Sequence, residues 1–428
     1  MSRFKRLAKE GGWIVVGQIA VVAASLVLVR VLTEYLDPTQ YGQLALALTL
    51  GALIGQVAFS GAMPGIMRYY SIAAEKGEAS EYFQASLRMM GYGILVALVL
   101  SAVLLMSLPL FGKAEMLGLI SLTIGFTIFG TVNTAQNMIQ NAARQRKVVA
   151  LHGSLDAWLR VAFVVCLFTW LGNSANIVVV AYIVSLILVL ASQAFFIRRL
   201  IPQETISSTK SKLWAAQIWQ YSKPFAYFNA FTWVQASADR WALETYTTSH
   251  EVGLYAVLLQ LGFTPIAMVA GLMTTLIGPI LFQRSGDTTD ATRNSTVHRQ
   301  AWKITAIALV STLFASIFAF LFHEWIFRLL VANQYRSVSY LLPLMILAGG
   351  LFAAGQMLSL KLMSDLNTQA LVWPKIITSL LGAAISFIGA YFAGLLGVVV
   401  AAVVFSVLQL LWLGVLSWRQ VAPNTGYV

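Results

Sequence analysis

The chain has 428 residues, 59% of them hydrophobic and only 10% charged. A soluble domain carries about 25% charged residues, so this composition excludes a soluble globular protein and points to an all-α polytopic membrane protein. A formal net charge of +12 raises nucleic acid as a partner, a reading that depends on where the charges sit.

The chain opens with Arg3, Lys5, Arg6 and Lys9 ahead of an apolar run over 12–33. That run is long enough to span a bilayer and too long for the core of a cleavable signal. Further spans are expected at 42–61, 88–108, 116–140, 147–171, 176–197, 224–246, 252–282, 303–322, 338–360, 371–393 and 395–417, twelve in all. An even number puts both termini on one side. Of the 28 Lys and Arg, 22 fall at the termini or in loops on the side of the termini, and three (Lys113, Arg328, Arg336) fall in the opposite loops. The remaining three, Arg30, Arg160 and Arg240, lie inside spans. This asymmetry makes the termini cytoplasmic and accounts for the basic charge without nucleic acid. The single cysteine, Cys166, allows no disulfide and no cysteine-based metal site within one chain.

A unit used twice organises the chain. Arg30, Glu34, Asp37, Pro38, Tyr41 and Gly42 close one span and open the next. Asp239, Arg240, Glu244, Gly253 and Tyr255 repeat the pattern, with one extra residue between Glu and Gly. Trp13 to Arg30 and Lys223 to Arg240 are both 17 residues. These matches predict two six-helix repeats: an N-terminal bundle over 1–200, a cytoplasmic interfacial linker helix over 201–223 and a C-terminal bundle over 224–428.

Charges inside a bilayer cost about 2.5–3.5 kcal/mol each on insertion scales, so they persist where they are paired or line a wet cavity. His152, Asp156 and Arg160 recur at four-residue spacing in span five, which places them on one helical stripe. They read either as a cavity lining or as an ion pair that locks the helix. Arg240 with Asn229 and Asp239, and its repeat mate Arg30, face substrate or snorkel to the interface. Asn133, Asn137, Gln140 and Arg144 form a row in span four. Amides carry donors and acceptors that suit sugar hydroxyls, and equally serve hydrogen bonds between helices. Pro64, Pro265 and Pro279 are expected to kink spans two and eight, and Gly51 with Gly55 is spaced for close helix packing. There is no Walker A sequence and no outer loop long enough to hold a catalytic domain, so the chain does not read as an enzyme.

The run from Arg30 through Tyr41 and Gly42, the apolar stretch after it, and Gly61-x-x-Pro64-x-x-x-Arg68-Tyr69-Tyr70 resemble the opening of bacterial polysaccharide flippases of the Wzx type. These belong to the multidrug/oligosaccharidyl-lipid/polysaccharide (MOP) exporter superfamily. The resemblance is sharpest over the first seventy or so residues and looser beyond. It implies a MATE-like, V-shaped bundle in the bacterial inner membrane, working by alternating access. It implies export of undecaprenyl-pyrophosphate-linked oligosaccharide to the outer leaflet, for O-antigen (lipopolysaccharide), capsule or exopolysaccharide. Arg30, Arg160 and Arg240 would then meet a pyrophosphate or an acidic sugar, with Asn133, Asn137, Gln140 and Asn229 on the saccharide. His152, Asp156 and Asp239 are the candidates for coupling to Na+ or H+, the one cofactor implied. Membrane lipids and polysaccharide polymerase or assembly proteins are the implied partners. Peptidoglycan-precursor flippases of the superfamily carry two additional helices, which disfavours that branch. A cation-coupled multidrug exporter of the same superfamily, and a membrane enzyme of polysaccharide assembly, stay open beside the flippase.

Overall fold

A computed structural model of the chain describes residues 3–201, 207–285, 291–364 and 372–419, and among them every regular element is helical. The helices are α1 (Arg3–Tyr35), α2 (Pro38–Phe59), α3 (Met63–Glu75), α4 (Ala79–Ser107), α5 (Leu117–Ala142), α6 (Arg146–Leu171) and α7 (Ala175–Arg198). They continue with α8 (Ser208–Tyr246), α9 (Ser249–Leu258), α10 (Thr264–Ser285), α11 (Ala291–Leu330), α12 (Leu342–Ser364) and α13 (Val372–Arg419).

Two compact units form, one of Met1–Val31 with Gln43–Trp233 and one of Leu32–Gly42 with Val234–Val428. The boundaries fall inside α1 and α8, so each of these helices contributes to both units. In unit 1, α7 packs against α5 and α6. In unit 2, α12 is the central helix, packed against α10, α11 and α13.

The surface is apolar where a soluble protein would be polar. Leu95, Val99, Val103 and Met106 of α4 are exposed, as are Leu313, Phe314, Ile317 and Leu321 of α11. Such faces belong in hydrocarbon. Many hydroxyls within the helices are satisfied by their own helix. Ser101 donates to the Ala97 carbonyl at 2.6 Å, Thr312 to Ala308 at 2.7 Å and Ser406 to Ala402 at 2.8 Å, which removes the cost of an unpaired polar group in lipid.

Ten segments among the described residues are long and apolar enough to cross a membrane. One of them, Trp373–Trp418, is two helices that fold back on each other, with Gly389 against Gly397 and Gly382 against Phe405. Ala393 (φ −142°) and Gly394 (φ 53°, ψ −131°) leave helical geometry at the boundary expected between two spans. Gly394 takes the left-handed region that a side chain disfavours, and the Leu395 amide donates to Glu251 Oε2 at 3.1 Å. A carboxylate thus satisfies the first free amide of the second half. α8 is 39 residues long, carries Lys223, Asp239, Arg240 and Glu244, and is too polar to count among the ten.

The prolines act differently from expectation. Pro64 does not kink a continuous helix. The chain turns after Phe59, and Pro64 sits in the first turn of α3, where its missing N–H is no loss. Before Pro265 the helix widens into a π turn over Leu259–Phe263, closed by the Thr264 amide on the Leu259 carbonyl. Proline cannot bond to the carbonyl four residues back and its ring clashes there; the wider turn relieves both. The side chain of Pro279 lies outside the described residues.

Candidate functional site

A cavity of about 490 Å³ opens within unit 1. α2 lends it Gln56 and the turn after α2 Ser60, and α5 lends Phe126, Thr131, Asn133 and Thr134; α6 adds Arg160, α7 Leu186 and α8 Asn229. Close packing of α2 on α5 shapes one wall. A Cβ on Gly51 would stand 3.1 Å from the Thr123 carbonyl oxygen, and one on Gly55 2.8 Å from Thr127 Cγ2. The Gly-x-x-x-Gly spacing is what lets the two backbones approach.

Arg160 is the one charged residue in this lining. Its Nε donates to Asp156 Oδ1 at 3.2 Å and an Nη to Asp156 Oδ2 at 2.5 Å. The guanidinium carbon lies 5.1 Å from the Phe126 ring centre and 5.3 Å from that of Tyr182, cation–π distances that hold the fork in place. Ser185 of α7 donates to Asp156 Oδ1 at 2.9 Å. The i,i+4 spacing read from the sequence therefore forms the ion pair it predicted, tied to a neighbouring helix and bordering a cavity.

The amide row is a closed ring. Asn133 Nδ2 donates to Gln193 Oε1 at 3.0 Å, Gln193 Nε2 to Asn137 Oδ1 at 2.8 Å, and Asn137 Nδ2 to Asn133 Oδ1 at 2.9 Å. Each amide gives and takes one bond, and Gln193 is fully buried. Asn133 reaches the cavity; Asn137 is not in its lining. Gln140 is fully buried away from it, and neither of its amide atoms has a hydrogen-bond partner among the described residues.

His152 stands apart from the cavity. It is buried, with Nδ1 donating to the Val148 carbonyl at 2.8 Å and Nε2 accepting from the Ser192 hydroxyl at 3.0 Å. The carbonyl can only accept, which sets the Nδ1–H tautomer. Phe196 packs on its ring at 5.4 Å. Arg30 is half-buried in α1 and does not line the cavity.

Asp239 and Arg240 belong to unit 2. Asp239 Oδ2 accepts from the Tyr255 hydroxyl at 2.6 Å, and Oδ1 accepts from the Arg240 amide at 2.7 Å and lies 3.5 Å from Arg240 Nε. The rest of the Arg240 guanidinium turns back to the Ala236 carbonyl. Lys375 hydrogen-bonds Gln235 Oε1 of α8, which the Ser379 hydroxyl also approaches at 3.5 Å.

Gln56, Phe126, Tyr182, Ser185 and Gln193 take part in the site and were missed by sequence reasoning. A glutamine within an apolar run was the available signal, at Gln56 in α2 and Gln193 in α7, and the partners of Gln193 lie 56 and 60 residues away.

At the end of unit 1 that carries the interhelical linker, α8 is docked by its first turns. Lys210 Nζ is 2.9 Å from Glu78 Oε1, and Trp214 Nε1 donates to Glu78 Oε2 at 3.1 Å. Hydrogen bonding to Lys210, then to Trp214, lowers the Glu78 carboxyl below its ordinary value, and Glu78 raises Lys210. Further along, Ser222 Oγ accepts from the Gly65 amide at 2.8 Å.

Comparison with known proteins places this geometry. A family model described as polysaccharide biosynthesis protein matches residues 7–285. No curated protein matches the chain by sequence. Among solved structures, the lipid II flippase MurJ in an inward closed conformation is similar with TM-score 0.71 at 13% identity, over 96% of this chain and 88% of that one. An inward-facing multidrug resistance MATE family transporter of the MOP superfamily is similar with TM-score 0.67 at 14% identity, over 95% and 96%. The Vibrio cholerae MATE transporter VcmN in its bent form gives 0.60 at 15%, over 97% of both chains. The protein belongs to the polysaccharide biosynthesis protein family and has the fold of the MOP-superfamily transporters.

Proposed function

We propose that the protein is a flippase that carries lipid-linked oligosaccharide from the cytoplasmic to the outer leaflet by alternating access. The observation that carries this reading is the unit 1 cavity, where Arg160, Asn133 and Asn229 meet Gln56, Ser60 and three threonines. Its polar wall is made of amides and hydroxyls within apolar helices, the chemistry of saccharide binding. Family membership supports the same reading. The lipid carrier is undecaprenyl pyrophosphate, and the product feeds O-antigen, capsule or exopolysaccharide synthesis in the bacterial inner membrane, alongside polymerase and assembly proteins.

Both termini are cytoplasmic in this reading, and the chain makes twelve crossings once α8 and both parts of α13 are counted. Coupling to Na+ or H+ falls to Asp239, held by Tyr255, with His152 and Asp156 as the other candidates. Fold likeness to MATE transporters favours a second reading, a cation-coupled multidrug exporter. A bare carboxylate would suit a cationic drug, whereas the one charged group lining the unit 1 cavity is the Arg160 guanidinium, paired with Asp156.

The test uses a strain lacking the gene. Lipid-linked repeat units are expected to accumulate on the inner leaflet with loss of surface polysaccharide, both reversed by the wild-type gene. Unchanged lipid intermediates with altered sensitivity to cationic drugs would replace the flippase reading with the exporter one.

A further inference from the structure

We infer that the unit 1 cavity is a site for an uncharged saccharide, in which Arg160 and Asp156 act as one neutral hydrogen-bonding element and the diphosphate of the carrier is bound elsewhere. The inference rests on the flippase reading and specifies which part of the substrate this cavity takes.

Charge is the first ground. Arg160 is the cavity's one charged residue, and Asp156 chelates it through two hydrogen bonds. The neighbouring rings of Phe126 and Tyr182, 5.6 Å apart, both lie against the guanidinium, and its two hydrogen bonds hold it to its carboxylate. The pair sums to zero. A diphosphate entering a low-dielectric cavity needs opposite charge to replace its lost hydration, and here the Asp156 carboxylate has already taken it.

Hydrogen-bond polarity is the second ground. Phosphate oxygens are acceptors and require donors. Thr131 and Thr134 have committed their hydroxyl protons to the Thr127 and Gly130 carbonyls at 2.8 and 2.9 Å, so they turn acceptor lone pairs to the cavity. Gln56 Oε1 is a buried acceptor with no partner among the described residues. Acceptors of this kind match sugar O–H groups and oppose phosphate. Asn133, with one N–H and its remaining lone pairs outside the amide ring, serves a hydroxyl in either sense. The Phe126 ring supplies an apolar surface for the C–H face of a pyranose, and 490 Å³ falls in the range of small-molecule sites, about 300–1,000 Å³.

The experiment uses the purified full-length protein in detergent, with two neutral trisaccharides (maltotriose and chitotriose) and inorganic pyrophosphate as probes. Binding is followed by saturation-transfer proton NMR for the sugars and by phosphorus line broadening for pyrophosphate. At least one trisaccharide is expected to bind the wild type. Gln56→Leu, which leaves the ion pair alone, is expected to weaken that binding by about tenfold, as loss of a buried hydrogen bond implies. Asp156→Asn and Arg160→Gln singly are expected to weaken it similarly, and the Asp156→Asn/Arg160→Gln double variant to recover most of it. Pyrophosphate broadening is expected to be indifferent to Arg160→Gln. Pyrophosphate binding that Arg160→Gln abolishes, or a wild type that binds neither trisaccharide, would overturn the inference. Proteoliposomes that fail to translocate lipid-linked oligosaccharide while the trisaccharide still binds would remove the flippase reading and leave the saccharide site standing.

Discussion

Gly42 and Gly253, the glycines that close the twice-used sequence unit, touch each other in unit 2. A Cβ on Gly42 would stand 2.9 Å from the Gly253 nitrogen and overlap the Ser249 carbonyl oxygen. A Cβ on Gly253 would stand 3.0 Å from the Gly42 nitrogen and overlap the Pro38 carbonyl oxygen. Pro38 opens α2 and Ser249 opens α9, each four residues ahead of its glycine, so the contact is symmetric. The repeat read from the sequence is thus a two-fold crossing of helix starts at backbone distance. Nearby, Gln334 Nε2 and the Tyr335 hydroxyl both donate to the Leu36 carbonyl at 2.9 Å, closing the end of α1.

Alanine at either glycine is expected to destabilise the protein by about 1–3 kcal/mol, the usual cost of overpacking, because the obstructing atoms are backbone and cannot rotate aside. The melting temperature of purified Gly42→Ala and Gly253→Ala variants measures this. A Gly42→Ala variant that melts with the wild type would show that the crossing is loose.

Gln193→Leu is expected to cost about 1–3 kcal/mol by leaving Asn133 Nδ2 and Asn137 Oδ1 unpaired in the membrane. It also frees the Asn133 side chain at the cavity edge. Thermal stability and trisaccharide affinity should fall together. An unchanged melting temperature would mean that the amide ring contributes specificity and no stability.

The Glu78–Lys210 pair gives a pH dependence with a defined sign. The folded-state value of Glu78 is lowered, so its contribution is present above the ordinary carboxylate range and lost as pH falls through the lowered value. Lys210 is raised, so its contribution is present below the ordinary lysine value and lost as pH rises through the raised one. The docking of α8 should therefore hold across neutral pH and weaken in acid. Melting temperatures between about pH 5 and pH 3.5 are expected to fall more steeply for the wild type than for Glu78→Gln; parallel slopes would dismiss the pair as a contributor.

At the break in α13, Glu251→Ala removes the acceptor for the Leu395 amide at a cost of about 1 kcal/mol, as for loss of a helix cap. Hydrogen exchange over residues 395–398 is expected to accelerate by about fivefold or more. Gly394→Ala forces a side chain into positive φ and should add about 1–2 kcal/mol. If exchange in this segment is unmoved in Glu251→Ala, the carboxylate does not hold the second half-helix.

Local features were legible in the sequence because local rules govern them. Hydropathy gave most of the spans, since an apolar run of about twenty residues has one comfortable solvent. Four-residue spacing gave the Asp156–Arg160 pair, since the helix brings i and i+4 together whatever surrounds it. The glycine repeat was visible as letters, although nothing in the letters said that its two copies would meet. Pro64 was misjudged because proline ends one helix and begins the next as readily as it bends one. Only the tertiary structure decided that Gln193 closes a ring with Asn133 and Asn137, that Phe126 and Tyr182 both lie against Arg160, and that Gln56 lines the same cavity. Those contacts depend on the rotation and register of helices packed against one another, and a helical period of 3.6 residues specifies the face of each helix without naming the face it will meet.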